Sequence, residues 1–215
     1  MKKHSLDTKK IVGIATFAAL AYGVTFVFRI PVMFLTFDAK DALLTVAAFM
    51  YGPLAAVVMA LLAALLELTI SDTALIGALM NFISSAAFAG TASLIYKYRR
   101  TFNGAIIGLF SSVAVTTAVM MVMNILITPF YMGVDRSVVI SMLPTVLLPF
   151  NFAKSLMNAA IAMLIYKPIA IAMRRARLID GKPMDTKFGK QSIITLIIGV
   201  ISLAAAITVF VILNK

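Results

Sequence analysis

Asn151, Lys154 and Asn158 stand in LLPFNFAKSLMN, residues 147–158, where most other side chains are apolar. Their i, i+3, i+7 spacing places them in one narrow stripe of a helix. A lysine within a bilayer costs roughly 2.5–3.5 kcal/mol at the centre and less near the interface, so such residues usually face a cavity or the bundle interior. An amide offers a donor and an acceptor side by side, matching the edge of a uracil-like or amide-containing ring, and an ammonium can donate to a carbonyl or ring nitrogen. The stripe therefore has two readings. It is one wall of a binding pocket, or it is a snorkelling lysine beside two asparagines that staple neighbouring helices.

The elements that carry these residues are membrane helices. The chain of 215 residues is 62% hydrophobic and 13% charged, with a mean hydropathy of +1.05, against roughly 45–50% apolar and 25% charged in soluble domains. Apolar runs bounded by turn signals predict spans at 11–28, 41–51, 54–69, 74–96, 104–130, 145–167 and 192–213. The second and third meet at Gly52-Pro53 and are expected to form a helical hairpin. The first run lacks a clear small-residue cleavage site and is read as a helix, not a secretory signal. The stretch RRARLIDGKPMDTKFGK, 174–190, reads as a linker.

Basic residues fix the expected orientation. With the N-terminus in the cytoplasm, the clusters at 2–10, 97–100 and 167–190 fall inside, and Arg29, Lys40, Arg136 and Lys215 fall outside. The net charge of +11 then reflects this asymmetry and anionic lipid headgroups, not nucleic acid. On this topology Glu67, Asn81, Asn124, Asn151 and Lys154, with Asp38 and Asp41 in the first outer loop, share the outer half of the membrane. Converging amides and one cation are what a pocket with few, well-placed polar groups looks like. Phe34, Phe37, Phe150, Phe152 and Tyr131 lie at the same level; each alone is better explained by packing, but together they could sandwich a flat ring.

The carboxylates are less uniform. Asp41 precedes the second span and reads as its N-cap, whereas Asp38 is freer to meet a ligand's hydroxyl groups. Glu67 either pairs with a loop cation or stands alone, and Asp72 in TISDT reads as turn chemistry. In the first span Ala15, Ala19 and Gly23 form a ridge of small residues, suited to internal packing or to an intersubunit contact.

Several function classes are poorly served. There is no Cys and a single His, His4, so no metal site is expected, nor thiol or His-based catalysis, and no catalytic residue is assigned. No phosphate-binding G-x-x-x-x-G-K-[ST] motif occurs, so any ATP hydrolysis must come from another subunit. A membrane enzyme would need a nucleophile or an acid–base pair in the cavity; a pure scaffold would leave the polar cluster unexplained.

Six pieces carry a family resemblance: ATFAA (15–19), FLTFDAKD (34–41), FMYGPLAAVV (49–58), MNF (80–82), MNILITPFY (123–131) and LPFNFAK (148–154). In this order they resemble the substrate-binding S subunits of energy-coupling-factor (ECF) vitamin transporters, and among them the riboflavin-specific ones. The resemblance implies an all-α, six-helix membrane bundle over residues 1–170, followed by a basic linker at 171–191 and an additional C-terminal transmembrane helix at 192–215. Loss of that last helix is expected to leave binding intact. The implied ligand is riboflavin as transported substrate, with no cofactor. Asn124, Asn151 and Lys154 would hold the flavin ring, with Thr36, Asp38 and Asn81 near the ring or ribityl chain. Ala15, Ala19 and Gly23 would dock on a transmembrane coupling subunit joined to two ATP-binding-cassette ATPases. A thiamine or other vitamin S subunit keeps the mechanism and changes the ligand.

Overall fold

A computed structural model describes residues 8–70, 74–176, 178–179 and 190–213. His4, the Asp72 turn and most of the expected linker lie outside these residues.

Helix α1 (Thr8–Val27) leads into an antiparallel hairpin of β1 (Arg29–Val32) and β2 (Leu35–Asp38). The hairpin is the form taken by the outer loop expected between the first two spans. No Asn-Gly or Asp-Gly marks its turn; instead Met33 takes a positive φ of 54°, a conformation that disfavours side chains bearing a Cβ. Pro31 is tolerated because a two-stranded ribbon has only edge strands.

Helices α2 (Lys40–Tyr51) and α3 (Pro53–Glu67) form the expected helical hairpin. Gly52, at φ 95°, makes the reversal, and Pro53 starts α3 where no backbone donor is needed. At 12 residues, α2 extends about 18 Å, well short of a hydrocarbon core. It sits centrally, buried on nearly every side. In α3 the alanines turn inward and leucines such as Leu54, Leu61 and Leu65 face outward. Lipid is as apolar as leucine, so small residues gain more by letting backbones approach.

The long elements are α4 (Ala74–Tyr98) and α5 (Phe102–Met132), then α6 (Arg136–Met142) continuing through a π-helical turn at Leu143–Leu147 into α7 (Leu148–Arg175). The α4–α5 crossing is close: a Cβ on Gly108 would lie 2.8 Å from the Ala92 carbonyl oxygen. The span expected at 145–167 is thus part of an apolar helical run from Arg136 to Arg175. Pro144 and Pro149 each remove a backbone donor, and the π turn absorbs the disruption just before Asn151.

Helix α8 (Lys190–Leu213) packs along α7, with Gly199 against Leu164. Ala206 joins a core cluster with Val32 and Phe37 of the hairpin and Phe150, Ala153 and Met157 of α7. The all-α membrane architecture is therefore present, with the β-hairpin as its one addition among the described residues.

Candidate functional site

The hairpin covers one end of the bundle, where α1, α3 and α5 end and α4 and α7 begin. Beneath it lies a cavity of about 520 Å³, within the range of small-molecule pockets. Thr36, Asp38, Asn81, Asn124, Asn151 and Lys154 all line it. So do Phe34, Tyr131 and Phe150, and the Phe34 and Tyr131 rings are tilted together at 6.4 Å.

The polar side chains are positioned differently from one another. In α5, Asn124 donates to the Met120 carbonyl at 2.7 Å and accepts from Thr128 Oγ1 at 2.8 Å. Both partners lie one turn away, so the helix fixes the amide. Asn151 Nδ2 donates to the Leu147 carbonyl at 2.7 Å, leaving its Oδ1 without a protein donor among the described residues.

Lys154 has a double attachment. Its Nζ donates to Asp38 Oδ2 at 2.7 Å and to the Thr36 carbonyl at 3.0 Å. The ammonium is buried with its carboxylate, a geometry incompatible with snorkelling. Burial would raise the Asp38 carboxyl, but the Lys154 and Lys40 charges outweigh it and hold the group below its ordinary value. Asp38 is therefore committed to Lys154, in contrast to the free carboxylate expected from the sequence. An ammonium has three donors, and two of those on Lys154 are used.

Glu67 pairs with a cation, resolving the choice left by its sequence. Lys40 Nζ donates to both its carboxylate oxygens at 2.6 and 2.7 Å, and Asn81 Nδ2 donates to Oε2 at 2.6 Å. Glu67 thereby orients Asn81 at the cavity wall. Sequence reading missed Lys40 because a lysine next to an outer loop is ordinarily solvated; here it is 2% exposed.

Asp41 is not the N-cap of α2. Ala39 occupies that position, and Asp41, in the first turn, accepts from Ser85 of α4. The cap comes from α7: Asn158 Oδ1 accepts from Ala42 N at 2.9 Å, and its Nδ2 donates to the Asp38 carbonyl at 2.9 Å. Asn158 thus staples α7 to the hairpin–α2 junction, while Asn151 and Lys154 on the same stripe face the cavity. Two of the five aromatics expected to sandwich a ring together do not line the cavity, and each packs elsewhere. Phe37 is buried edge-on against Phe150 at 4.7 Å, and Phe152 is 43% exposed on the outside of the bundle.

The ridge on α1 points outward. Ala15, Ala19 and Gly23 are exposed, whereas Gly13, Phe17, Ala18 and Ala21 face the core. No heavy atom lies within 4 Å of a Cβ built on Gly23, so this ridge does not pack internally.

A lidded polar cavity at one end of a lipid-embedded helical bundle defines a membrane protein that captures a small solute. Residues 9–170 match the family model of the ECF transporter, substrate-specific component, and the chain belongs to that family. It is 30% identical over 183 residues to the riboflavin transporter RibU of Staphylococcus aureus (strain TCH60), covering 81% of this chain and 97% of that one. A solved S component of a bacterial ECF transporter is similar at a TM-score of 0.66 and 29% identity, over 78% of this chain and 98% of that one. The protein is accordingly a multi-pass membrane transport component and not an enzyme. Helix α8 lies beyond the matched residues.

Proposed function

We propose that the protein is the riboflavin-binding subunit of an ECF transporter, taking the vitamin from outside the cell and delivering it inward with an ATP-driven coupling module. The observation that carries this reading is the convergence of Asn124, Asn151 and Lys154 with two aromatic rings in one lidded cavity. The similarity to a riboflavin transporter over most of the chain supports the choice of vitamin. Asn124, Asn151 and the remaining Lys154 donor meet the polar edge of the flavin ring, while Asn81, Thr36 and Asp38 lie towards the ribityl chain. The hairpin is the external lid, consistent with the cytoplasmic clustering of basic residues. The exposed Ala15, Ala19 and Gly23 admit close approach of a coupling-subunit helix, and that subunit joins two ATPases. Every residue that lines the cavity falls between Thr25 and Lys154, within the unit of 1–170 expected from the sequence, and α8 braces that unit through α7 and the hairpin.

The test is a titration of purified, detergent-solubilised protein with riboflavin, read by quenching of flavin fluorescence. Saturable binding at one site per chain, with thiamine failing to compete, is the expected result. Saturable thiamine binding without riboflavin binding would reassign the ligand.

A further inference from the structure

A second cavity, of about 470 Å³, lies at the opposite end of the bundle from the lidded one. It is formed where α1 begins and α2, α4 and α7 end. Lys10, Arg100 and Arg174 line it, and among the described residues no Asp or Glu does. Arg174 has other interactions within the protein; Lys10 and Arg100 are exposed at the rim.

The interior is aromatic. Tyr96 and Tyr166 share a hydrogen bond at 3.0 Å, and Phe49 packs on both rings, with centroids at 4.6 and 5.7 Å. The Tyr51 hydroxyl is buried without a hydrogen-bond partner among the described residues. It lies against α1 where Gly13 leaves room; a Cβ on Gly13 would overlap it. A buried hydroxyl rarely goes unsatisfied; it is turned towards α1, while the rest of Tyr51 lines a cavity whose wall also carries three positive charges from three parts of the chain.

We propose that this cavity binds a phosphate ester, with the cations meeting the phosphate oxygens and Phe49, Met50 and Ala170 contacting the apolar remainder. An anionic phospholipid headgroup and a soluble phosphate share this chemistry. The position at the membrane boundary, on the side richest in lysine and arginine, favours the headgroup, because that leaflet is the one enriched in anionic lipid.

The absence of tryptophan leaves six tyrosines as the intrinsic fluorophores, and Tyr51, Tyr96 and Tyr166 line this cavity. The full chain in a neutral detergent is titrated with short-chain phosphatidylglycerol, with phosphatidylcholine of the same chain length and with inorganic phosphate. Tyrosine emission and melting temperature are recorded. A saturable change with phosphatidylglycerol but not phosphatidylcholine is expected, and Lys10→Gln and Arg100→Gln should each weaken it roughly fivefold. Both substitutions are at exposed positions, so unchanged gel-filtration profiles and ligand-free melting temperatures serve as the folding control. A saturable response to inorganic phosphate, weakened by the same variants, supports the site with a soluble phosphate as its source. Lack of saturation by any of these anions, or variants that titrate like the wild type, would overturn the proposal.

Discussion

Lys154 of α7 and Asp38 of β2 form a buried ion pair of 2.7 Å across 116 residues of sequence. The pair ties the hairpin to the bundle directly beside the cavity. One lysine is thus at once a candidate ligand contact and the clasp of the lid.

Substituting Lys154→Met should therefore do two things. Riboflavin affinity falls about ten- to a hundredfold through loss of a charged hydrogen bond. The sequence alone would predict unchanged or higher stability, since the membrane cost of the lysine disappears; the structure predicts a loss of about 3–5 kcal/mol, because the buried Asp38 carboxylate loses its ion-pair partner. The double variant Asp38→Asn/Lys154→Met should recover much of the melting temperature without recovering affinity.

Asn151 and Asn158, on the same stripe of α7, should behave oppositely. Asn158→Leu strips partners from the Ala42 amide and the Asp38 carbonyl, at about 1–3 kcal/mol for each buried group left unsatisfied. Asn151→Leu breaks only a bond to its own helix, so it should keep the melting temperature and lose riboflavin affinity. Thermal melts and flavin titrations on both variants separate the staple from the ligand contact. Equal affinities for Asn151→Leu and wild type would remove Asn151 from the site.

Neighbouring residues on α1 offer a sharper contrast. Ala19→Trp enlarges an exposed position and Ala18→Trp a buried one, since Ala18 is 1% exposed. The first should preserve riboflavin binding by the isolated subunit yet abolish uptake in cells that contain the coupling module. The second should prevent folding, because an indole cannot enter that packed core. Normal uptake by Ala19→Trp would place the docking surface elsewhere.

Met33 holds a positive φ in the hairpin turn. Met33→Val should destabilise the protein by about 1–2 kcal/mol, since a β-branched side chain is a poor occupant of that region. Faster hydrogen exchange at the backbone amides of Leu35–Asp38 would report the same loss locally. Unchanged exchange would mean the turn relaxes without strain.

Truncation before α8 tests its role. The sequence suggests a dispensable appendage, but Ala206 shares a core with Phe37 and Phe150. Removal of 190–215 should lower the melting temperature and weaken riboflavin binding by loosening the hairpin. Wild-type affinity in the truncated chain would confine α8 to a peripheral role.

The membrane class, the depth shared by the polar residues and the small-residue ridge were legible in the sequence. These properties are local: hydropathy accumulates along a run, helical period groups residues three, four and seven apart, and a polar group in lipid carries a cost wherever its partner lies. Asp38, Asn81, Asn124, Asn151 and Lys154 were accordingly found from their types and depth, Thr36 only through the family resemblance, and all six line one cavity. Helical period also put Asn158 in the stripe with Lys154, but it could not say that one turn further along the same face meets the start of α2 instead of the cavity. The tertiary structure alone decided the partners: Asp38 for Lys154, Lys40 for Glu67, Ala42 for Asn158. Those pairings join residues 27 to 116 positions apart, and the charge or amide at one end says only that a partner is needed. The hairpin was hidden for a related reason. Its turn lacks the usual residues, and its form is upheld by Phe37, Phe150 and Ala206 closing on one another from three distant parts of the chain.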